Sequence, residues 1–350
     1  MNRYKQYEKK KNWIRIFKNC VNAINCGKSF LLFTGVLDNV KIFSTNYYIL
    51  WLLEAIGYVG VDCYVLISGY FLIQSKFSWK KVVGLIGEVW FYSVVILVCL
   101  IVTKQDVYSK TQILNAFLPI STRQYWFMTD YIILYILSPY INVGLQNLDK
   151  KQFKKLLFIL IILFSIWDIA PGMQIGVQKG YSLYWLIVVY SIGAYIRLYI
   201  EGGTKRIWKI IYIVCTVGML TSKVVISACT QIIPGIETYS NIFYGHSSIF
   251  VIGSAVALFM LFKDLKNRDT KFEKWILQIS PLTFGVYLIH MNGNLVKVYW
   301  GQLKNILDAN SYGVFIWLAV STIVVFTIST IIDQIRNMLA KQIKKIVMRK

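Results

Sequence analysis

GYVGVDCYVLISGYFLI, residues Gly57 to Ile73, decides how this chain is read. It closes an apolar segment that begins near Tyr47 and exceeds the roughly 20 residues a helix needs to cross a bilayer. Yet the segment carries Glu54, Asp62, Ser68 and glycine. A carboxylate at membrane depth costs about 2.5 to 3.5 kcal/mol on insertion scales, so it normally faces a protein interior or a wet cavity. The segment therefore reads as the wall of a site inside a membrane-embedded bundle.

Composition agrees. Of 350 residues, 57% are hydrophobic and only 15% are charged, which is too apolar for a soluble globule of this size. The expected fold class is all-α, a polytopic integral membrane helix bundle whose partner is membrane lipid. A net charge of +22 raises nucleic acid as a partner. The basic residues, however, sit in short runs between apolar segments, as membrane topology requires, so no nucleic acid is expected. Cys20, Cys26, Cys63, Cys99, Cys215 and Cys229 form no CxxC or Cys/His ligand spacing, so neither a metal nor a disulfide framework is expected. Nothing at the N-terminus resembles a cleavable signal peptide.

Working outward, residues 1–46 form a basic polar N-terminal segment whose apolar patch, Phe30 to Leu37, is about half a spanning length. Residues 47–335 form the membrane domain. Its apolar segments are Tyr47 to Ile73, Val82 to Thr103, Tyr125 to Leu145, Leu156 to Ala170, Ser182 to Ile200, Ile207 to Cys229, Ile242 to Phe262, Trp275 to Val298 and Gly313 to Ile335. That makes about nine transmembrane helices, with Leu156 to Ala170 short for a crossing. Residues 336–350 are a basic tail.

Every second connection is rich in lysine and arginine: Lys76 to Lys81, Lys150 to Lys155, Lys205 to Lys209 and Lys263 to Lys274. The positive-inside rule makes these and the tail cytoplasmic in a multi-pass cell-membrane protein. An odd number of spans would then put the basic N-terminal segment outside, against the same rule. A missing span ahead of Tyr47 removes the conflict.

Gly60, Val61 and Asp62, followed by Ser68, Gly69, Tyr70 and Phe71, resemble the GVDxFFxxSGY/F element of the membrane acyltransferase 3 family, which includes bacterial polysaccharide O-acetyltransferases. Tyr125, Trp126 and Phe127 with Tyr131 and Pro139 resemble the family's W(F/Y)xxxY segment ending in proline. Gly193 and Ala194 in SIGAYI resemble a later small-residue span, and ISPLTFGVYLIH, Ile279 to His290, resembles the (S)xxxFGIYLxH signature. Four motifs in order within a ladder of apolar spans are fairly specific.

The resemblance implies a ten-helix transferase with both ends cytoplasmic, passing an acyl group, commonly acetyl, from cytosolic acyl-CoA to a glycan acceptor. Acetyl-CoA is then a donor substrate and no cofactor is bound permanently. The family's first helix carries a basic residue and, after ten intervening positions, a histidine regarded as catalytic. From Arg15 the same count leads to Cys26, in a segment read as too polar to cross. The expected absence of that helix has two accounts: a misassigned start or reading frame, or a diverged protein using another base. A glycan transporter or polymerase, and a non-catalytic remnant of the family, are the rival functions.

Acyl transfer to a hydroxyl needs a base or nucleophile and donors for the developing oxyanion. Histidine suits the first task, and the chain has His246 and His290 alone. His290 matches a family motif position and is the candidate base, with helix-end packing as its alternative role. His246 reads as structural. Glu54 and Asp62 lie about 80° apart around a helix, so both can face one cavity as further catalytic candidates. The alternative for Asp62 is a partner for an intramembrane cation such as Lys223. Lys80 and Lys81, where family members carry basic residues, are candidates for the phosphates of CoA, although ordinary positive-inside charge explains them equally. Ser68, Trp126 and Tyr131 complete the donor-binding set, with Ser68 and Gly69 also suited to close helix approach.

Overall fold

The computed structural model describes residues 2–105, 108–169, 176–202, 204–230, 232–233, 235–263 and 270–347. Lys266, Arg268, Arg349 and Lys350 of the expected cytoplasmic charge, and Ala170 at the end of an expected span, lie outside the described residues.

The described residues form helices and turns, with no strand among them. In order the helices are α1 (Asn2–Phe33), α2 (Val36–Asn39), α3 (Thr45–Leu72), α4 (Trp79–Val102), α5 (Lys110–Phe117), α6 (Trp126–Gln146) and α7 (Lys150–Ile161). A π-helical turn, Ile162–Ile166, leads into α8 (Trp167–Ile169). Then come α9 (Leu183–Tyr199), α10 (Lys205–Cys229), α11 (Ile249–Lys263), α12 (Lys271–Ile279), α13 (Thr283–His290), α14 (Gly293–Lys304) and α15 (Gly313–Val347). Side-chain caps set several starts. Ser44 accepts from the Tyr47 amide ahead of α3. Asp149 and Gln152 form a reciprocal capping box on α7, and Asn292 accepts from the first amides of α14.

The protein is a helical membrane bundle. Thr45–Leu72, Trp79–Val102, Lys205–Cys229, Ile242–Lys263 and Gly313–Gln342 are long and apolar enough to cross a bilayer, and Leu183–Tyr199 is a shorter apolar helix. Large aliphatic side chains are exposed along these helices, among them Val98 and Ile101 on α4, Ile213 and Val217 on α10, and Ile323 and Ile331 on α15. Water would oppose such surfaces and lipid does not. The remaining expected segments are less simple. Tyr125 to Leu145 becomes α6, interrupted in composition by the buried Asp130 and Asn142 and by Pro139. Trp275 to Val298 is not one span: a 3-10 turn at Ser280–Leu282 carrying Pro281, and a turn capped by Asn292, divide it into α12, α13 and α14.

The chain forms two compact units. Unit 1 comprises Met1–Asn39, Glu88–Gln124 and Asn267–Lys350; unit 2 comprises Val40–Gly87 and Tyr125–Lys266. In unit 1, α1 packs against α15, α12 and α13. The segment read as a polar stretch is thus a helix about 48 Å long. Trp13, Phe17 and Val21 are buried on it at four-residue steps, followed by Asn22, Cys26, Phe30 and Leu31. Such a stripe on a polar helix is invisible to an average over the window. Buried Asn22 donates to the Thr283 carbonyl at 2.7 Å, and Phe30 meets Trp300 edge to face.

In unit 2, α3 is the centre, packed on α9, α10 and α11, while α6 and α7 lie on α9. α3 and α9 touch backbone to backbone. A Cβ on Gly69 would fall 2.0 Å from the Tyr190 carbonyl oxygen, and one on Gly193 would fall 2.3 Å from that of Leu66. The SGYF and SIGAYI motifs therefore meet at one crossing, where only hydrogen fits.

Candidate functional site

Beyond that crossing α3 and α9 run parallel and in step. Tyr58 pairs with Tyr181, Asp62 with Trp185, Tyr70 with Gly193 and Gln74 with Arg197. Fully buried Asp62 accepts from Trp185 Nε1 through Oδ1 at 3.1 Å. Lys223 is occupied elsewhere: its ammonium donates to Asn241 Oδ1 at 2.6 Å and Ser240 Oγ at 3.2 Å, and sits 3.9 Å from the Trp51 ring centre. Ser68 Oγ donates to the Tyr64 carbonyl at 3.0 Å and accepts from Tyr131 at 3.0 Å. The Tyr131 ring is stacked on Phe127. Its hydrogen bonds make Ser68 a fixed hydroxyl rather than an activated nucleophile, which would need an adjacent base.

The first half of α3 supplies a different cluster. Glu54 is 2% exposed and lies within electrostatic reach of the Tyr58, Tyr181 and Tyr244 phenols. His246, 1% exposed, has its ring centre 5.0 Å from Tyr181, 5.2 Å from Tyr58 and 5.9 Å from Trp126. Trp126 and Tyr181 are themselves 4.7 Å apart. The imidazole is buried while all three rings around it remain partly exposed. The three partly exposed rings pack directly on the buried imidazole.

The backbone beneath this box is under constraint. Gln178, Lys179 and Gly180 have φ of 52°, 56° and 89°, and left-handed non-glycine residues cost about 1 to 3 kcal/mol each unless their surroundings enforce them. The enforcing contact is the turn that carries His246. A Cβ on Gly180 would lie 2.5 Å from His246 Cβ, and one on Gly245 would lie 3.0 Å from Lys179 Cβ. Ser247 Oγ donates to Asp168 Oδ2 at 2.9 Å, fixing the turn from its other side. Two loops held face to face in this way leave the imidazole little freedom.

His290 belongs to unit 1. It is 2% exposed, and its Nδ1–H donates to the Val286 carbonyl at 2.6 Å. In a neutral ring that leaves Nε2 as an acceptor, and Nε2 has no hydrogen-bond partner among the described residues. Lys80 and Lys81 are exposed in the first turn of α4. Cations are disfavoured there by the helix dipole, so their presence has a cause other than helix stability.

The structure thus places Glu54 within electrostatic reach of Tyr181, on which Trp126 packs, sets Asp62 against Trp185, pairs Ser68 with Tyr131, and leaves Lys80 and Lys81 exposed. Sequence reasoning did not single out Tyr58 or Tyr181; it read His246 as structural, and the structure shows that residue buried among three aromatic rings. The scarcity of histidine in so aromatic a chain was the one available signal, because the box is assembled from four separated segments. The cluster gathers a carboxylate, an imidazole, phenols and an indole in unit 2.

The family model described as an acyltransferase domain matches residues 21–333. Comparison with curated proteins and with solved structures gives no match. The matched region begins within α1, runs through the α3–α9 crossing and the FGVYLIH helix, and ends on α15. With that continuous match across both units, the chain belongs to the membrane acyltransferase 3 family.

Proposed function

We propose that this membrane acyltransferase moves an acetyl group from cytosolic acetyl-CoA to a hydroxyl of a cell-surface polysaccharide or its precursor, from a multi-pass position in the cell membrane with its C-terminus cytoplasmic. The observation that carries the reading is His290, whose Nδ1–H is tied to Val286 while a buried Nε2 keeps its lone pair. An imidazole fixed in one tautomer, with one nitrogen ready to accept, is what a general base for a hydroxyl requires.

In this scheme Nε2 takes the hydroxyl proton as the oxygen attacks the thioester carbonyl. Collapse of the tetrahedral intermediate breaks the C–S bond, and the proton returns to the departing CoA sulfur.

The test is the surface glycan of cells carrying wild-type protein, a gene deletion, His290→Ala or His290→Gln, read by NMR for O-acetyl groups and by gel for chain length. Wild-type cells are expected to carry O-acetyl signals. The deletion and both substitutions should abolish them with chain length unchanged and the variant protein present in membranes; removal of a general base costs about 100-fold or more in rate. A shortened glycan in the deletion strain would indicate a transporter or polymerase. O-acetylation that persists in both His290 variants would remove His290 as the base.

A further inference from the structure

His246, Tyr58 and Tyr181 have no part in the scheme above, yet with Trp126 and Glu54 they form a box held from several sides. Three partly exposed aromatic rings pack on a buried imidazole, buried Glu54 lies within electrostatic reach of two of them, and a loop with left-handed residues abuts the turn. Its position along the helices is consistent from element to element. Glu54 and Tyr58 occupy the first half of α3, which ends before Lys76; Trp126 opens α6, which ends before Lys150. Tyr181 precedes α9, which ends with Arg197 in its last turn; His246 precedes α11, which ends at Lys263. Each box residue therefore comes from the part of its helix remote from the basic connection, which the positive-inside rule assigns to the extracytoplasmic side.

We infer that this box is the acceptor subsite, taking one pyranose ring of the glycan from the outer side of the membrane. The inference rests on the acyl-transfer reading and adds the place and the chemistry of acceptor binding. A pyranose presents C–H groups on its faces and hydroxyls around its edge. Indole and phenol rings match the faces by dispersion and by their negative π-clouds, while an imidazole and a carboxylate match the hydroxyls. Small-ligand sites combine those features: mostly aromatic walls with a few placed polar groups. The same aromatic walls beside a carboxylate also suit an organic cation, and that ligand is the competing outcome.

The experiment is saturation-transfer NMR on the full chain in detergent micelles. The probes are the methyl glycosides of glucose, N-acetylglucosamine and rhamnose, with sorbitol as an open-chain polyol and tetramethylammonium as a cation. Transfer to the ring C–H protons of at least one glycoside is expected, with none to sorbitol. Trp126→Ala and Tyr181→Leu should each weaken that glycoside about fivefold or more. Trp126→Phe should retain most of the affinity, and Trp79→Ala, at an exposed site on α4, should change nothing. Matched thermal denaturation of the variants separates lost binding from lost fold.

The subsite is overturned if no glycoside receives transfer, if the signal survives both box substitutions in folded protein, or if tetramethylammonium is the probe that needs Trp126. The two readings fail separately. Glycoside binding that needs Trp126, in cells whose deletion keeps O-acetyl groups, keeps the subsite and removes acyl transfer. Loss of O-acetyl groups on deletion, with glycoside binding indifferent to Trp126, removes the subsite alone.

Discussion

Gly69 and Gly193 show how little room single positions leave in this bundle. Each faces the backbone of the other helix, with a missing Cβ that would sit 2.0 or 2.3 Å from a carbonyl oxygen. Backbone cannot swing aside as a side chain can, so Gly69→Ala or Gly193→Ala must push α3 and α9 apart. Each is expected to lower stability by about 1 to 3 kcal/mol, measured as thermal denaturation in detergent. The double substitution should cost less than the sum, because the first methyl already opens the crossing the second would enter. Additive losses would mean the two glycines do not share one contact. Asp62, four residues before Leu66, belongs to the same interface: its bond to the buried Trp185 indole ties the helices together a turn away from the crossing. The motif that marks the family in the sequence is therefore in large part a description of how two helices touch.

Helices α13 and α15, with the part of α4 from Glu88 onward, make the same point within unit 1. Gly285 of the FGVYLIH motif admits Asp333, whose carboxylate carbon would lie 2.4 Å from a Cβ there. Asp333 is fully buried and accepts from Tyr92 at 2.6 Å and Arg336 Nε at 2.7 Å, while Arg336 also pairs with Glu88 at 2.6 Å. This network joins the middle of α4 to α15. Arg336→Met leaves two carboxylates facing each other without their cation and should cost about 3 kcal/mol, the low end for a broken buried pair because Arg336 and Glu88 keep some solvent. Combining it with Asp333→Asn and Glu88→Gln should recover much of the loss; no recovery would show that packing, not charge, holds the contact. Nothing in the sequence announced this network, since Glu88 and Arg336 stand 248 positions apart. What was legible were the long apolar helices α3, α4, α10 and α15, whose composition suffices. The division of α12 to α14 was not, because Pro281 opens a 3-10 turn that an apolar average passes over. Tyr58 and Tyr181 were illegible for a related reason: phenols are common in this chain, and only the in-step pairing of α3 with α9 brings these two together.

For the molecule as a whole, the charge pattern and the helix inventory bear on one another through parity. Basic connections alternate regularly after α3, and the positive-inside rule, applied to them and to the basic tail, leaves the segment before α3 outside unless another crossing precedes it. α1 has the length for that crossing, about 48 Å, and a buried face that packs on α15. Its polar residues exclude it from the helices that qualify by composition. A helix shielded from lipid by its neighbours needs an apolar stripe rather than an apolar circumference. If α1 crosses, Lys9 to Lys11 lie in the cytoplasm and Ser44 outside, and every basic cluster falls on one side. Fluorescent-protein fusions at the N-terminus, after Lys151 and at the C-terminus are then expected to fluoresce, while alkaline phosphatase inserted after Ile233 is expected to be active. Phosphatase activity from an N-terminal fusion, with the other three reporters as stated, would take α1 out of the membrane path and leave the positive-inside pattern broken at that one place.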